Sequence, residues 1–163
     1  GNMRLTLVDR IVDLEPGRRI KATKSLSLAE EYLGDHFPYF PVMPGVTMLE
    51  VMYQASAWLV RSNEDFRHSM VTLSEANNVK YSDFVEPGKT LVVTAEIIKQ
   101  EERLFKMKCQ GEVDGSVAVR GRLVLESFNL AQSESADPAV DNFVTSNLKA
   151  KFGILYVPEN SET

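Results

Sequence analysis

Eleven of the fifteen residues from Val46 to Val60 are apolar. A helix that dense in apolar side chains has no polar face wide enough for solvent, so it must be enclosed on most sides. Thr47, Glu50, Gln54 and Ser56 interrupt it, and it falls short of the ~18 apolar residues of a membrane span. The chain must therefore supply the wrapping itself. Its 163 residues suit one principal domain, long enough to bury such a helix without disulfide or metal staples.

The wrapping comes from segments of period two. Leu5 to Leu14 reads as a first strand, and Glu15-Pro16-Gly17 as the turn after it. Ile20, Ala22, Lys24 and Leu26 share one mostly apolar face of a second strand. Leu28 to Leu33 suits a short helix, and a proline-rich loop runs from Asp35 to Pro44. Beyond the central helix, Val71 and Leu73 begin a strand, and Val79 and Tyr81 suggest another. After a turn at Glu86-Pro87-Gly88, Leu91, Val93, Ala95 and Ile97 alternate along a long strand. Glu101 to Arg103 form a polar turn, then Phe105, Met107, Cys109, Gly111 and Val113 alternate again. Asp114-Gly115 is a hairpin signal, and Val117, Val119, Gly121, Leu123 and Leu125 complete a three-strand meander. One buried helix with several long antiparallel strands is an α+β fold in which the sheet wraps the helix.

The tail has another character. Gln132 to Asp137 is a polar linker, and Asp137-Pro138 reads as an N-cap followed by proline at the first helical position. Val140, Phe143, Val144 and Leu148 fall at helical spacing, and Gly153 is a C-terminal stop signal. This predicts a short amphipathic helix that packs on the body or on a partner subunit; a lid or docking role is the sharper alternative.

Composition removes several classes of function. Lys+Arg 18 against Asp+Glu 23 leaves −5, without the basic footprint of a nucleic-acid binder. A single cysteine, Cys109, excludes internal disulfides and cysteine-based zinc sites, and two histidines exclude a multi-histidine metal centre. No targeting segment stands out once Met3 is taken as the natural start, so the expected location is the cytoplasm.

The segment richest in chemistry is His36-Phe37-Pro38-Tyr39-Phe40-Pro41-Val42-Met43-Pro44-Gly45. Three prolines at every third position stiffen the loop, and the interleaved Phe37, Phe40 and Met43 favour burial over a Pro-x-x-Pro recognition ligand. Pro44-Gly45 opens the central helix, where the first N–H groups lack partners within the helix and the dipole favours negative charge. Such a site suits a carbonyl oxygen that gains charge during reaction. Thr47, Glu50 and Gln54 lie on one face of this otherwise apolar helix. A carboxyl desolvated there favours its neutral form and can act as a general acid, or it can sit at a subunit interface or pair with a structural partner. His36, an acid/base residue type, stands at the start of the rigid loop. Base, oxyanion cradle and acid are thus all present in one stretch. His68 reads as solvated, and Cys109 as core packing.

These residues carry a resemblance. His36-Phe37-Pro38, Pro41-Val42-Met43-Pro44-Gly45-Val46 and Glu50-Val51-Met52-Tyr53-Gln54 resemble the signature of the FabZ-type (3R)-3-hydroxyacyl-[acyl-carrier-protein] dehydratases. Leu7-Val8-Asp9-Arg10-Ile11 looks like that family's opening strand, and Asn77-Asn78-Val79-Lys80-Tyr81 with Val85-Glu86-Pro87-Gly88 like the lead into its meander. The resemblance spans residues 4–127, with 128–163 as an extension bearing the tail helix. It implies a hotdog fold, no cofactor, no metal, and a homodimer, possibly a trimer of dimers, with composite sites that draw His36 from one subunit and Glu50 from the other. In that scheme His36 takes the α-proton of a 3-hydroxyacyl thioester and Glu50 protonates the departing hydroxyl. The Gly45 N–H polarises the thioester oxygen, Val46 and Tyr39 line the substrate, and Gln54 orients the acid. Asp35 and Tyr39 stand where the family carries glycines; Tyr39 narrows the entrance and Asp35 places a charge beside the base.

The expected substrate carrier is an acyl carrier protein or coenzyme A, with no nucleic acid and no membrane involved. Carrier proteins are acidic, which calls for a local basic patch. Arg18, Arg19 and Lys21 form one cluster, more readily read as a solvated strand edge. The alternatives are a hotdog thioesterase and a non-catalytic acyl-binding module.

Overall fold

The computed structural model describes residues 6–27, 42–133 and 136–158. Six strands and three helices are described: β1 (Arg10–Glu15), β2 (Arg19–Ser25), α1 (Gly45–Asn63), β3 (Met70–Tyr81), β4 (Thr90–Glu101), β5 (Leu104–Val113), β6 (Ser116–Phe128), α2 (Leu130–Ser133) and α3 (Pro138–Leu155). The strands form one sheet in the order β1-β2-β4-β5-β6-β3, and every neighbouring pair is antiparallel. Helix α1 packs against β2, β3, β4, β5 and β6, so the sheet wraps it as the density of apolar residues requires. Ten of its nineteen residues are buried. None of these helices is long and apolar enough to cross a membrane.

The hairpins follow from their turn residues. Asp114 (φ 52°) and Gly115 (φ 81°) join β5 to β6, the pair of positive φ values that matches the twist of the flanking strands. The meander's inward set is Leu91, Val93 and Ala95 on β4, Phe105, Met107 and Cys109 on β5, and Leu123 and Leu125 on β6, all buried. Cys109 is core packing, as its alternation indicates; burial pushes its thiol up to about 12 while the Ser56 hydroxyl lies 3.2 Å away. The thiolate is therefore not populated near neutral pH.

Several expectations need correction. The first strand begins at Arg10, not Leu5, because the preceding segment turns to pack against α1. Val71-Leu73 and Val79-Tyr81 belong to one strand, β3, with register shifts at Leu73/Glu75 and Asn77/Lys80. Asn78 sits at φ 53° in the second irregularity, and such bulges let a long edge strand bend without ending. A shift at Gly111/Glu112 brings Ala118 into the core and leaves Val117 half-buried. Residues 28–33 and the loop from Asp35 to Pro41 lie outside the described residues.

His68 is not solvated: its side chain is 15% exposed and its Nδ1 lies 3.1 Å from the Glu64 carboxylate. The Ser127 hydroxyl donates to that same carboxylate at 2.5 Å. This buried polar cluster ties the chain after α1 to β6. Helix α1 stops at Asp65 and Phe66, both at positive φ, and the Phe66 N–H returns to the Arg61 carbonyl, which closes the C-terminus in the manner of a Schellman motif.

The tail departs most from its pattern. Helix α2 runs into the start of the linker, so Gln132 is helical. Asp137 does cap α3, accepting from the Ala139 N–H at 2.9 Å. Gly153 does not stop the helix, which runs to Leu155; a helical glycine costs ~1 kcal/mol, less than the burial of Phe152 and Leu155 contributes. The expected packing face is met only in part: Val144 and Leu148 are half-buried, Leu148 against the core. Val140 and Phe143 are exposed, whereas Asp141 is buried and accepts from the Ser69 hydroxyl and from the Leu130 and Ala131 N–H groups. Periodicity sees apolar residues and misses a carboxylate that caps the neighbouring helix.

The Ser69 hydroxyl, backed by the two α2 amides, holds the Asp141 carboxyl below its ordinary value against the opposing effect of desolvation. Its contribution to stability is thus present above the unfolded carboxylate value of ~3.9 and is lost as pH falls through the lower folded value. Asp141→Asn should lower the melting temperature at pH 7, and the difference from wild type should shrink below about pH 4; thermal unfolding across pH measures this.

Candidate active site

The N-terminus of α1 is laid out as an anion cradle. Pro44 caps it at φ −60°, ψ 147° with no side-chain hydrogen bond. The Pro44 carbonyl takes both the Thr47 and Met48 N–H groups. The Gly45 and Val46 N–H groups therefore head the helix with no acceptor inside it. No acidic residue stands in the first turn to offset the dipole. A Cβ on Gly45 would sit 3.1 Å from the Tyr81 ring, so any larger residue here would make that ring shift.

Beside this end lies a cavity of about 320 Å3, lined by Val42, Met43, Pro44, Gly45, Met48, Tyr81, Asp83 and Phe84. Val46, Tyr81 and Phe84 are 69%, 48% and 55% exposed, so an apolar mouth surrounds the cradle. Burial raises the Tyr81 phenol above its ordinary value, which keeps its hydroxyl protonated. Sequence periodicity placed Tyr81 on a strand without a role at the site, and Met48, Asp83 and Phe84 gave no signal at all. Their partnership with Gly45 arises only when β3 folds across the start of α1.

Glu50 occupies another flank of α1. Five residues separate it from Gly45, about 140° around a helix of 3.6 residues per turn, and it does not line that cavity. Glu50 is half-buried rather than enclosed. Gln54, one turn on, donates from Nε2 to Glu50 Oε2 at 3.1 Å. The same amide accepts the Leu7 N–H through Oε1 at 2.9 Å. Gln54 is thus held at both ends of its amide, and it fixes the carboxylate from one side. Thr47, Glu50 and Gln54 share a half-buried stripe, as their spacing predicts.

One protomer brings Gly45 to the cavity, with Val46 exposed next to it, and Glu50 and Gln54 together on the other flank, but does not join the two pairs. His36, Tyr39 and Asp35 lie outside the described residues. The Arg18, Arg19 and Lys21 cluster, read as a solvated strand edge, does not lie on an edge strand. Arg18 and Arg19 pair with Glu15 at 3.3 and 2.7 Å, and β2, which carries Arg19 and Lys21, is an interior strand between β1 and β4 rather than an edge.

Residues 1–122 match a family model described as the FabA-like domain. The chain is 35% identical over 117 residues to a 3-hydroxyacyl-[acyl-carrier-protein] dehydratase FabZ of Ruminiclostridium cellulolyticum, covering 72% of this chain and 82% of that protein. It is 37% identical over 123 residues to the FabZ of Burkholderia lata, covering 74% and 79%. Among solved structures, the dehydratase heterocomplex ApeI:P of Xenorhabdus doucetiae superposes with a TM-score of 0.63 at 19% identity, covering 76% of this chain and 84% of that one. A Streptococcus mutans protein bound to acetyl CoA superposes at 0.62 with 12% identity, covering 78% and 94%. These structural likenesses establish the hotdog fold.

Replacing Gln54 by leucine leaves the Leu7 N–H without its acceptor and removes the donor to Glu50. The expected destabilisation is about 1–3 kcal/mol, read from denaturant unfolding.

Proposed function

Because the chain belongs to the FabZ-type 3-hydroxyacyl-[acyl-carrier-protein] dehydratase family, we propose that it dehydrates (3R)-3-hydroxyacyl thioesters to trans-2-enoyl thioesters. The reaction belongs to fatty-acid or related acyl-chain synthesis in the cytoplasm, and the catalytic domain is 4–127. The observation that carries this reading is the carboxylate of Glu50, gripped by the Gln54 amide on a helix whose first amides open beside an apolar cavity. His36 takes the proton α to the thioester carbonyl. The Gly45 N–H, seconded by Val46, receives the charge that develops on the thioester oxygen, where a fixed amide at a helix N-terminus stabilises most. Glu50, as the protonated acid, gives its proton to the 3-hydroxyl, which leaves as water while the Cα–Cβ double bond forms. Val46 and Tyr39 line the acyl chain.

The separation of Gly45 from Glu50 around α1 favours a site shared between protomers, with the cradle and His36 from one and Glu50 from the other. The sheet offers a surface for that pairing: β3, twelve residues long, is an edge strand, and Leu73 and Tyr81 on it are exposed. An unpaired edge of that length pairs readily with a second copy, giving a homodimer that larger assemblies can repeat.

A carrier protein is favoured over free coenzyme A by the outer sheet face. Lys80, Lys108, Arg120 and Arg122 border a shallow groove of about 520 Å3. Lys108 stands opposite Arg122 and Lys80 opposite Arg120. Like charges directly across strands are destabilising, so this arrangement suits docking of an acidic protein surface.

His36→Ala and Glu50→Gln should each lower kcat by at least ~100-fold with the melting temperature preserved, measured by reversible hydration of crotonyl thioesters. Release of free thiol instead indicates a thioesterase, and inertness with retained ligand binding a non-catalytic module. Lys108→Glu with Arg122→Glu should raise KM for carrier-linked substrate about tenfold more than for the coenzyme-A-linked one, with the difference shrinking in high salt.

A further inference from the structure

Helix α3 lies beyond residue 122, where the family match ends, yet it reaches the residues that hold Glu50. We propose that α3 is a clamp, with Phe152 as a positioning residue that sets the Glu50 carboxylate through segment 6–11 and Gln54. The inference rests on Glu50 being the acid of the proposed dehydration.

The contacts form a continuous path. The Phe152 ring packs against Trp58 of α1 (centroids 6.0 Å apart), Phe66 at the end of α1 (5.4 Å) and Tyr156 (5.7 Å). Tyr156 forms a parallel bridge with Ile11 of β1, and Lys151 donates to the Thr6 hydroxyl. The tail therefore grips both ends of the segment from Thr6 to Ile11. Leu7, inside that segment, donates its N–H to Gln54 Oε1 at 2.9 Å, and Gln54 Nε2 donates to Glu50 Oε2 at 3.1 Å. Thr6, Gln54, Trp58 and Lys151 meet at one small cleft of about 170 Å3, so the tail, the segment and the bridging amide share a single junction.

Two features make Phe152 the residue on which the clamp turns. Phe66 adopts φ 58°, a region that a bulky side chain occupies only when its surroundings hold it there, and Phe152 is part of those surroundings. The Lys151–Thr6 contact is exposed, where such interactions contribute little, so at this end of α3 the aromatic packing outweighs it. A slack segment 6–11 lets the Leu7 amide leave Gln54. Gln54 then loses that anchor, and the orientation it gives the Glu50 carboxylate shifts. Misplacement of a catalytic group by a fraction of an ångström lowers kcat more than it weakens binding.

The test is a double-mutant cycle on the full chain, with Phe152→Ala and Gln54→Leu alone and together. Phe152→Ala should lower kcat about 5- to 10-fold with KM within about twofold, and should move the limb of the pH–kcat profile that reports the acid. Phe152→Leu, which keeps the apolar bulk, should restore most of the rate. In the Gln54→Leu background the same substitution should cost less than about twofold, because the path is already broken. Equal losses in both backgrounds, or a wild-type kcat despite a lowered melting temperature, overturn the clamp. Hydrogen exchange at the Leu7 amide decides independently of activity: it should quicken at least about tenfold in Phe152→Ala, in the Glu50→Gln protein as well. Unchanged exchange overturns the inference. A wild-type protein without dehydratase activity overturns the proposed reaction, while the exchange measurement still judges the clamp.

Discussion

Helix α1 takes ten side chains out of water along nineteen residues, and only a sheet curved around it can cover that much of a cylinder. Each large side chain so buried contributes ~1.5–3 kcal/mol, and the inward residues of β2, β4, β5 and β6 are mostly apolar to match, Lys24 and Ser127 being the buried polar exceptions on these strands. Two polar ties fix the helix within this enclosure. The Tyr53 hydroxyl donates to the Val71 carbonyl at 2.5 Å, and the Ser56 hydroxyl meets Cys109. The cost of the arrangement falls on the residues that cannot be apolar. Thr47, Glu50 and Gln54 occupy a strip of α1 that is left half-buried.

Enclosure also fixes the other end of the site. Once β3 crosses the start of α1, Tyr81 lies so close to residue 45 that any side chain there would press on its ring. The glycine serves two demands, close packing and an open amide, and one position satisfies both. The cradle and the carboxylate lie on different flanks of the same helix, so the geometry of α1 itself argues for a second protomer. β3 lies at the edge of the sheet, with Leu73 and Tyr81 exposed on it.

The tail joins the core: Leu155 belongs to it, and Leu148, Phe152 and Tyr156 pack against it. Its attachment is partly apolar, through Phe152 and Leu155, and partly a polar knot at Asp141, which takes the Ser69 hydroxyl and heads helix α2. The outward apolar residues Val140 and Phe143 show that the apolar stripe alone does not set the rotation of α3. An amphipathic pattern alone weights apolar burial and gives no weight to a capping carboxylate, and for that reason it finds the packing face only in part.

The sequence by itself determined the α+β class, the central helix, the β4-β5-β6 meander and the stripe of Thr47, Glu50 and Gln54. These depend on local periodicity and turn chemistry, which a chain carries wherever it folds. The Asp114-Gly115 hairpin and the Asp137 cap were legible for the same reason. Tertiary structure alone decided that β3 is one strand with two irregularities, that His68 is drawn into a buried cluster, and that Tyr81 and Phe84 form the mouth beside Gly45. It also decided that Gln54, which helical spacing already sets beside Glu50, reaches Leu7 forty-seven residues away. Contacts of that kind depend on which elements the sheet brings together, and nothing in the spacing of neighbouring residues encodes a partner so far along the chain.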